Sequence, residues 1–305
     1  MVHELTDAMH ADLLERIRAR STPLEPELTD YQCQNTLKAP IRGVIFDVYG
    51  TLLISQSGDV GVTRPQDKGI HMEGSFTALG IEIEPGVGEH AAKVYRNVIK
   101  DKHDLARTHG IEQPEVEIRE IWRIVCELLL DVNLIDQLPT NDDVLRLAVE
   151  YECRSNPIWP AANAVKTFES LKDCGLRLGI VSNAQFYTPL SIEALLGATI
   201  EQLGFDQELC AWSYVMGEAK PSTAMYEQVS EALRRKGILP QESLYVGNDM
   251  LNDVAAASEV GFQTVIFAGD RKSLRLREGD GRCSGVRPDA SISTLAELAV
   301  ILSSM

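Results

Sequence analysis

Short runs of apolar, often β-branched residues recur along the chain, and each ends in polar residues or glycine. We interpret as strands the runs at 43–47, 177–183, 209–217, 244–249, 262–268 and 290–293. Near-continuous apolar runs are typical of parallel strands that are covered on both faces, because a sheet with one wet face alternates apolar and polar residues. The pattern therefore predicts an α/β fold built on a parallel sheet.

Longer stretches with helical spacing of their apolar residues separate these runs. They lie at 163–174, 190–203, 222–236 and 250–260, and a terminal helix is expected from about 294. Glycines such as Gly175, Gly237 and Gly261 follow where helix C-terminal caps are expected. Regular alternation of strand and helix predicts a Rossmann-like, doubly wound arrangement.

The first and second predicted strands are about 130 residues apart in the sequence, far more than an ordinary connection requires. Helical spacing at 86–108, 114–131 and 141–152 predicts that most of this insert is helical. The stretch 55–74, rich in Ser, Gly, Asp and Gln, is typical of a flexible connection. Residues 4–20 have an amphipathic pattern that precedes two prolines. We therefore predict an N-terminal appendage (1–40), a catalytic core (41–54 and 156–305) and a smaller inserted helical cap domain (55–155).

Charge and composition narrow the possible partners. The formal net charge is −16, from 45 acidic and 29 basic residues, which argues against nucleic acid and acidic membrane surfaces as partners. No apolar run approaches the ~20 residues that span a bilayer, and no signal-peptide pattern is present. The six cysteines contain no CxxC pair, so free, mostly buried thiols are expected. We predict a cytoplasmic monomer or homodimer that acts on a small, anionic molecule.

Polar residues that could carry chemistry follow the predicted strands. Asp47 ends the first strand and precedes the turn residues Gly50 and Thr51, whereas Ser182 and Asn183 end the second. Lys220 lies in a loop before a proline, and Asp249 and Asp253 follow a later strand. Because ligands of open parallel sheets bind at the carboxyl ends of the strands, these side chains are expected to converge on one edge.

This order of motifs resembles the haloacid dehalogenase superfamily. The resemblance implies that Asp47 is a covalent nucleophile, that Thr51, Ser182 and Asn183 belong to the substrate site, and that Lys220 neutralises charge. It also implies a helical cap after the first strand. Mg²⁺ would be held by hard oxygen ligands from Asp47, the Tyr49 carbonyl, and Asp249 or Asp253.

The fourth motif can be aligned in two ways, with either Asn248 or Asp249 as its first residue. We favour Asp249 because a carboxylate is the better magnesium ligand. The family's phosphatases carry a second Asp two residues after the nucleophile, which acts as general acid and base, but this chain has Tyr49. Tyr49 and Tyr226 are similar to residues of the 2-haloacid dehalogenases, whereas Asp249 and Asp253 favour phosphate chemistry.

Three functions are consistent with these features. We favour a Mg²⁺-dependent phosphatase that acts on a small phosphorylated metabolite, because the acidic pair and Lys220 suit a dianionic substrate. The alternatives are a metal-independent 2-haloacid dehalogenase and a catalytically silent member that binds a ligand.

Overall fold

The structure, a computed structural model, describes residues 5–38, 40–56, 65–83 and 86–303. The strands of these residues are, in chain order, β1 (Gly43–Phe46), β2 (Leu53–Ser55), β3 (Ile158–Pro160), β4 (Arg177–Ser182), β5 (Phe205–Trp212), β6 (Ser243–Gly247), β7 (Gln263–Phe267) and β8 (Ala290–Ile292). The helices are α1 (Asp7–Arg20), α2 (Pro65–Thr77), α3 (Gly88–Thr108), α4 (Ile118–Asp131), α5 (Asn141–Ser155), α6 (Ala164–Asp173), α7 (Tyr187–Leu196), α8 (Ser213–Met216), α9 (Ala224–Arg235), α10 (Ala256–Val260) and α11 (Leu295–Ser303).

Six strands form one parallel sheet in the order β5-β4-β1-β6-β7-β8. The strand β1 lies between β4 and β6, and its residues from Val44 to Phe46 are fully buried. Helices cover both faces, which explains the continuous apolar runs of the central strands. The predicted α/β, Rossmann-like fold class is confirmed.

Three predicted elements of the sheet region differ from the observed ones. The helix predicted at 190–203 is α7, which begins at Tyr187 and ends at Leu196. The strand predicted at 209–217 begins earlier, at Phe205, and ends at Trp212, since residues 213–216 turn into the short helix α8. Gly217 ends that helix with φ 74°, a left-handed conformation that favours glycine. The helix predicted at 250–260 begins with a π-helical turn at Met250–Ala255 and becomes α-helical only in α10.

The insert between β2 and β3 consists of the helices α2 to α5. Both ends of the insert leave the core through one antiparallel ribbon, in which Leu53 pairs with Pro160 and Ser55 with Ile158. An aromatic cluster fills its interior: the Trp122 ring lies 4.9 Å from that of Tyr95 and 5.3 Å from that of Tyr151. The apolar cluster around these rings continues into buried residues of α1 and α7, so the insert shares its hydrophobic core with the rest of the chain.

The prediction of a flexible connection at 55–74 is wrong for residues 65–74, which belong to α2, while 57–64 lie outside the described residues. The glycines in this helix are one reason why the composition of the segment suggested a loop. A Cβ on Gly88, at the start of α3, would lie only 2.2 Å from the Gly69 carbonyl oxygen. The glycines therefore permit α2 and α3 to approach closely, and do not mark a loop.

The N-terminal appendage joins the insert to the core. The helix α1 packs against α5 of the insert and against α7 of the core, and buries Leu13 and Ile17 there. The segment that follows runs along β7 and β8, where the Thr29 hydroxyl donates to the Ala268 carbonyl and the Cys33 amide donates to Ser291 Oγ. The described residues of this segment contribute no strand to the six-stranded sheet.

All six cysteines are free thiols, and Cys174 is exposed rather than buried. Among the described helices, none combines the length and the apolar character needed to cross a membrane.

Glu150 of α5 is a buried carboxylate that ties α1 to the insert. Its side chain is 3% exposed and accepts from Arg16 at 3.1 Å and from Arg20 at 3.0 Å, both in α1, while Arg154 lies 3.3 Å away. We expect Glu150→Ala to lower the free energy of unfolding by about 1.5–3 kcal/mol, because charged hydrogen bonds are lost from a buried site. Chemical denaturation would measure this loss.

Glu231→Ala is the matched control for that measurement. Glu231 also pairs with an arginine one helical turn away, but at 3.9 Å and with both side chains about 60% exposed. Its removal is expected to change the stability by less than about 0.5 kcal/mol. Equal effects of the two substitutions would contradict a structural role for Glu150.

Candidate active site

Asp47 lies at the carboxyl end of β1, in the middle of the sheet. The residue is only 6% exposed, and Lys220 Nζ donates to its carboxylate Oδ1 at 2.8 Å. Asp47 Oδ2 has no hydrogen bond to the described part of the chain. One oxygen of Asp47 is therefore bonded to a cation, and Asp47 lines the cleft.

Lys220 also contacts a second carboxylate. Its Nζ lies 2.7 Å from Asp253 Oδ1 and 3.2 Å from the Tyr245 hydroxyl. Burial lowers the pKa of Lys220, but the carboxylates of Asp253 and Asp47 outweigh this effect and hold the pKa well above its usual value. Lys220 therefore stays charged.

Asp253 is held from several sides at once. Its Oδ2 accepts from the backbone amides of Asn248 at 2.9 Å and Asp249 at 2.8 Å. Burial raises the pKa of this carboxyl to about 6, with Lys220 opposing the rise. With both oxygens engaged by protein donors, Asp253 positions Lys220 and the strand end.

Asn183 fixes the loop that carries Lys220. The Lys220 amide donates to Asn183 Oδ1 at 2.7 Å, and Asn183 Nδ2 lies 3.4 Å from the Lys220 carbonyl oxygen. Asn183 follows β4, so the neighbouring strand ends β1 and β4 bring the nucleophile candidate and the lysine together.

Thr51 and Ser182 are fully buried, and their side chains lie outside the set of residues that line the cleft. The Thr51 hydroxyl donates to Asn248 Oδ1 at 3.2 Å. The Ser182 hydroxyl lies 3.3 Å from the Asn183 carbonyl oxygen. In this conformation both hydroxyls support neighbouring residues instead of facing the cleft.

Tyr49 lines the cleft in the position where the family's phosphatases carry an acid. Its hydroxyl is 2.9 Å from Thr188 Oγ1. Burial first, and the nearby Glu152 carboxylate second, raise the pKa of Tyr49 well above its usual value. Tyr49 therefore stays protonated and cannot act as a base near neutral pH. Tyr226 lies behind the site, where its hydroxyl donates to the Asn252 carbonyl at 2.6 Å.

Asp249 has a different set of partners. The carboxylate accepts from the amides of Leu251 at 2.9 Å and Asn252 at 3.2 Å, which caps the π-helical turn. The Arg277 guanidinium also binds it: Nε lies 3.0 and 3.1 Å from the two oxygens, and Nη2 donates to Oδ2. Sequence reasoning did not find Arg277.

Arg275 is a second cation that the sequence did not reveal. Its backbone pairs with the fourth motif, since the Arg275 amide donates to the Asn248 carbonyl at 2.9 Å and its carbonyl accepts from the Met250 amide at 2.8 Å. This pairing brings the loop after β7 to the rim of the cleft. The cavity has a volume of about 50 Å³, and the described residues that line it are Asp47, Tyr49, Ser55, Asn183, Lys220, Asn248, Asp249, Asn252, Asp253 and Arg275.

The oxygen donors around Asp47 fit Mg²⁺ in their chemistry, because the ion prefers carboxylate and carbonyl oxygens. Asp47, Asp249 and Asp253 are the carboxylates that line the cleft. Asp253 is engaged by Lys220 and two amides, and Asp249 is engaged by Arg277 and two amides. No group of three His, Cys, Asp or Glu side chains is arranged for a metal within the described ranges. Two carboxylates plus backbone and water oxygens are consistent with magnesium sites, which retain several waters.

The sequence of this chain is similar to known hydrolases and phosphatases. The sequence profile of a haloacid dehalogenase-like hydrolase family matches residues 41–261. Ribulose-1,5-bisphosphate 5-phosphatase of Halopiger xanaduensis is 29% identical over 143 residues, which are 46% of this chain and 56% of that protein. Glyceraldehyde 3-phosphate phosphatase of Methanothermobacter thermautotrophicus is 27% identical over 229 residues, which are 74% of this chain and 85% of that protein.

A solved structure of a 2-haloacid dehalogenase from Pseudomonas syringae pv. Tomato has the same fold. It aligns with a TM-score of 0.55 and 19% identity, covering 87% of this chain and 99% of that one. At this identity the likeness concerns the fold alone. The profile match spans most of the chain, including Asp47, Lys220 and Asp253, and confirms the resemblance seen in the motifs. The chain therefore belongs to the haloacid dehalogenase-like hydrolase family.

Proposed function

We propose that this hydrolase is a phosphoric monoester hydrolase that acts on a small phosphorylated metabolite, with Asp47 as the nucleophile. The observation that carries the proposal is the buried contact of 2.8 Å between Lys220 Nζ and Asp47 Oδ1. The curated relatives, named as phosphatases of ribulose-1,5-bisphosphate and glyceraldehyde 3-phosphate, support the same chemistry. In this proposal the helical insert acts as the cap that selects the substrate.

In this proposal Lys220 offsets the electrostatic repulsion between the Asp47 carboxylate and a phosphate dianion. Two like unit charges 4 Å apart repel by about 4 kcal/mol at an effective dielectric constant near 20. Because Lys220 contacts Asp47, its charge lies where the phosphate oxygens would approach. Asp47 Oδ2 then attacks phosphorus and the P–O bond to the alcohol breaks, so that the alcohol leaves as its anion and takes a proton from solvent. Water later attacks the aspartyl phosphate, which releases inorganic phosphate and restores the Asp47 carboxylate.

Mg²⁺ is the cofactor that we propose for this reaction. Asp47, Asp249 and the Tyr49 carbonyl would hold it, and Asn248, which lines the same cleft, offers an amide oxygen. When bound, the ion would neutralise charge on the transferring phosphoryl group. Loss of phosphate release in EDTA, with recovery on adding Mg²⁺, would support this assignment.

Metal-independent 2-haloacid dehalogenation is the second candidate, and Tyr49 favours it. A halide leaves carbon without needing a proton, so a site that lacks an acid beside the nucleophile is adequate for that reaction. A parallel screen of p-nitrophenyl phosphate and 2-chloropropionate, each with and without Mg²⁺, separates the candidates. Halide release in EDTA without phosphate release would overturn the phosphatase proposal, and neither product would indicate a silent ligand-binding protein.

Because residue 49 is a tyrosine and not an acidic residue, we predict that kcat/KM depends strongly on the leaving group. We expect kcat/KM for p-nitrophenyl phosphate to exceed that for 4-nitrobenzyl phosphate by at least about 100-fold, since general acid catalysis contributes about 10²–10⁴-fold where it is available. The two esters have similar shapes but differ in the acidity of the alcohol. Tyr49→Phe should leave the ratio unchanged. Equal rates for the two esters would mean that another group supplies the proton.

A further inference from the structure

Arg277 makes a charge-assisted fork with Asp249 at the edge of the cleft. Its Nε contacts both carboxylate oxygens, at 3.0 and 3.1 Å, and its Nη2 adds a third bond to Oδ2. The Asp249 side chain is only 8% exposed, and that of Arg277 is 32% exposed. Forked arginine–carboxylate pairs are among the stronger hydrogen-bonded ion pairs, and partial burial reduces their screening by salt.

The backbone of Arg277 indicates that this contact is built into the fold. Its φ is 53°, in the left-handed region that residues other than glycine seldom occupy. Sparsely populated conformations persist only where the surrounding structure enforces them, and they cluster at functional sites. Here the backbone pairing of Arg275 with Asn248 and Met250 enforces the path of the loop.

A second anchor fixes the other end of this loop. Asp270 is 3% exposed, accepts from the Glu27 amide at 2.9 Å and from the Ser273 hydroxyl at 3.0 Å, and so ties the loop to the N-terminal appendage. Arg282, five residues after Arg277, provides a contrast. It pairs with Asp280, two residues away, and its side chain is 61% exposed. The Arg277–Asp249 pair therefore differs from an ordinary surface ion pair. Its two residues are far apart in the sequence, the pair is partly buried, and Arg277 has a left-handed backbone conformation.

Arg277 engages the same two oxygens of Asp249 through which a metal ion would bind this carboxylate. Both oxygens of Asp249 already accept from the guanidinium, and Oδ1 also accepts from two amides of the helical turn. A carboxylate oxygen can accept few further bonds, and a divalent cation beside a guanidinium meets like charge. The two cations therefore compete for one carboxylate.

We propose that Arg277 is the built-in counter-cation of Asp249, and that Mg²⁺ binds this carboxylate only by displacing the guanidinium. The inference rests on the proposed function only in taking Mg²⁺ as the cation of the site. It gives the loop after β7 a role in setting the magnesium affinity. When Mg²⁺ is not bound, the Arg277 guanidinium neutralises the charge of Asp249 and keeps this carboxylate in place at the helical turn.

The test is isothermal titration of MgCl₂ into the full chain after metal removal with EDTA and dialysis, at constant ionic strength. Arg277→Gln is expected to bind Mg²⁺ at least about tenfold more tightly than the original chain, because a competing unit charge is removed from contact with Asp249. Adding Asp249→Asn to Arg277→Gln should abolish the tight binding. Arg282→Gln, the matched control, should leave the dissociation constant within about twofold, since its partner Asp280 lies outside the cleft lining.

A dissociation constant for Arg277→Gln that equals or exceeds that of the original chain would overturn the proposal, as would absence of binding in both proteins. If circular dichroism shows that Arg277→Gln is unfolded, Arg277→Lys replaces it. That variant keeps the charge without the fork and is expected to bind with intermediate affinity, so an unchanged affinity would again overturn the proposal. The titration uses no substrate. A chain without phosphatase activity can therefore pass this test, and an active phosphatase can fail it.

Discussion

Replacing Lys220 by methionine is expected to reduce kcat/KM for p-nitrophenyl phosphate by at least about 10³-fold. Lys220 contacts both Asp47 and Asp253, and the repulsion of about 4 kcal/mol that it offsets corresponds to about three orders of magnitude in rate. The two carboxylates would also lose their shared cation in a buried site. We therefore expect the free energy of unfolding to fall by about 3–5 kcal/mol.

Lys236→Met is the matched control, because it removes a paired lysine charge at a position that does not line the cleft. Lys236 also bridges two carboxylates, those of Asp206 at 3.0 Å and Glu208, but it lies far from the cleft lining. Lys236→Met should leave kcat/KM within about twofold. Assays are compared at a temperature where circular dichroism shows both variants folded. If Lys220→Met keeps more than a tenth of the activity, Lys220 does not have the proposed role.

Gly247→Ala is the second change with a large expected effect. A Cβ on Gly247 would lie 2.4 Å from Asp253 Cγ and 2.5 Å from its Oδ2, both far inside van der Waals contact. Asp253 cannot move away freely, because Lys220 and two amides hold it. We expect kcat/KM to fall about 100-fold, as for catalytic groups displaced by about 1 Å, and stability to fall by about 1–3 kcal/mol from overpacking.

Gly281→Ala provides the control for the added methyl group, because a Cβ at that position meets no atom within 4 Å. It should keep the original kinetics and thermal unfolding temperature. Should Gly247→Ala behave like Gly281→Ala, the packing of Asp253 against the end of β6 would not matter for activity.

The sequence carried enough information to predict the sheet and the meeting of Asp47 with Lys220. Their positions follow from a general property of parallel sheets, in which the strand ends share one edge. Apolar runs identified the strands because both faces of the sheet are buried. The helix α2 was missed because Gly69 has a long-range purpose, close packing against α3, that composition cannot reveal.

Arg275 and Arg277 lay beyond prediction for a similar reason. They follow the fourth motif by more than twenty residues, and pairing of the loop backbone with Asn248 and Met250 brings Arg275 to the cleft and Arg277 to Asp249. The partners of Asp249 were equally hidden. Whether that carboxylate faces a metal, a helix terminus or an arginine depends on side-chain direction, which spacing along the sequence does not fix.

The most direct test of Asp47 as nucleophile is to trap the covalent intermediate. The protein is mixed with p-nitrophenyl phosphate and Mg²⁺, quenched in acid during turnover, and analysed by mass spectrometry of the intact chain and its peptides. We predict one phosphoryl group on the peptide that contains Asp47, and neither this adduct nor phosphate release for Asp47→Asn. Phosphate release by Asp47→Asn at a rate similar to that of the original chain would contradict the account.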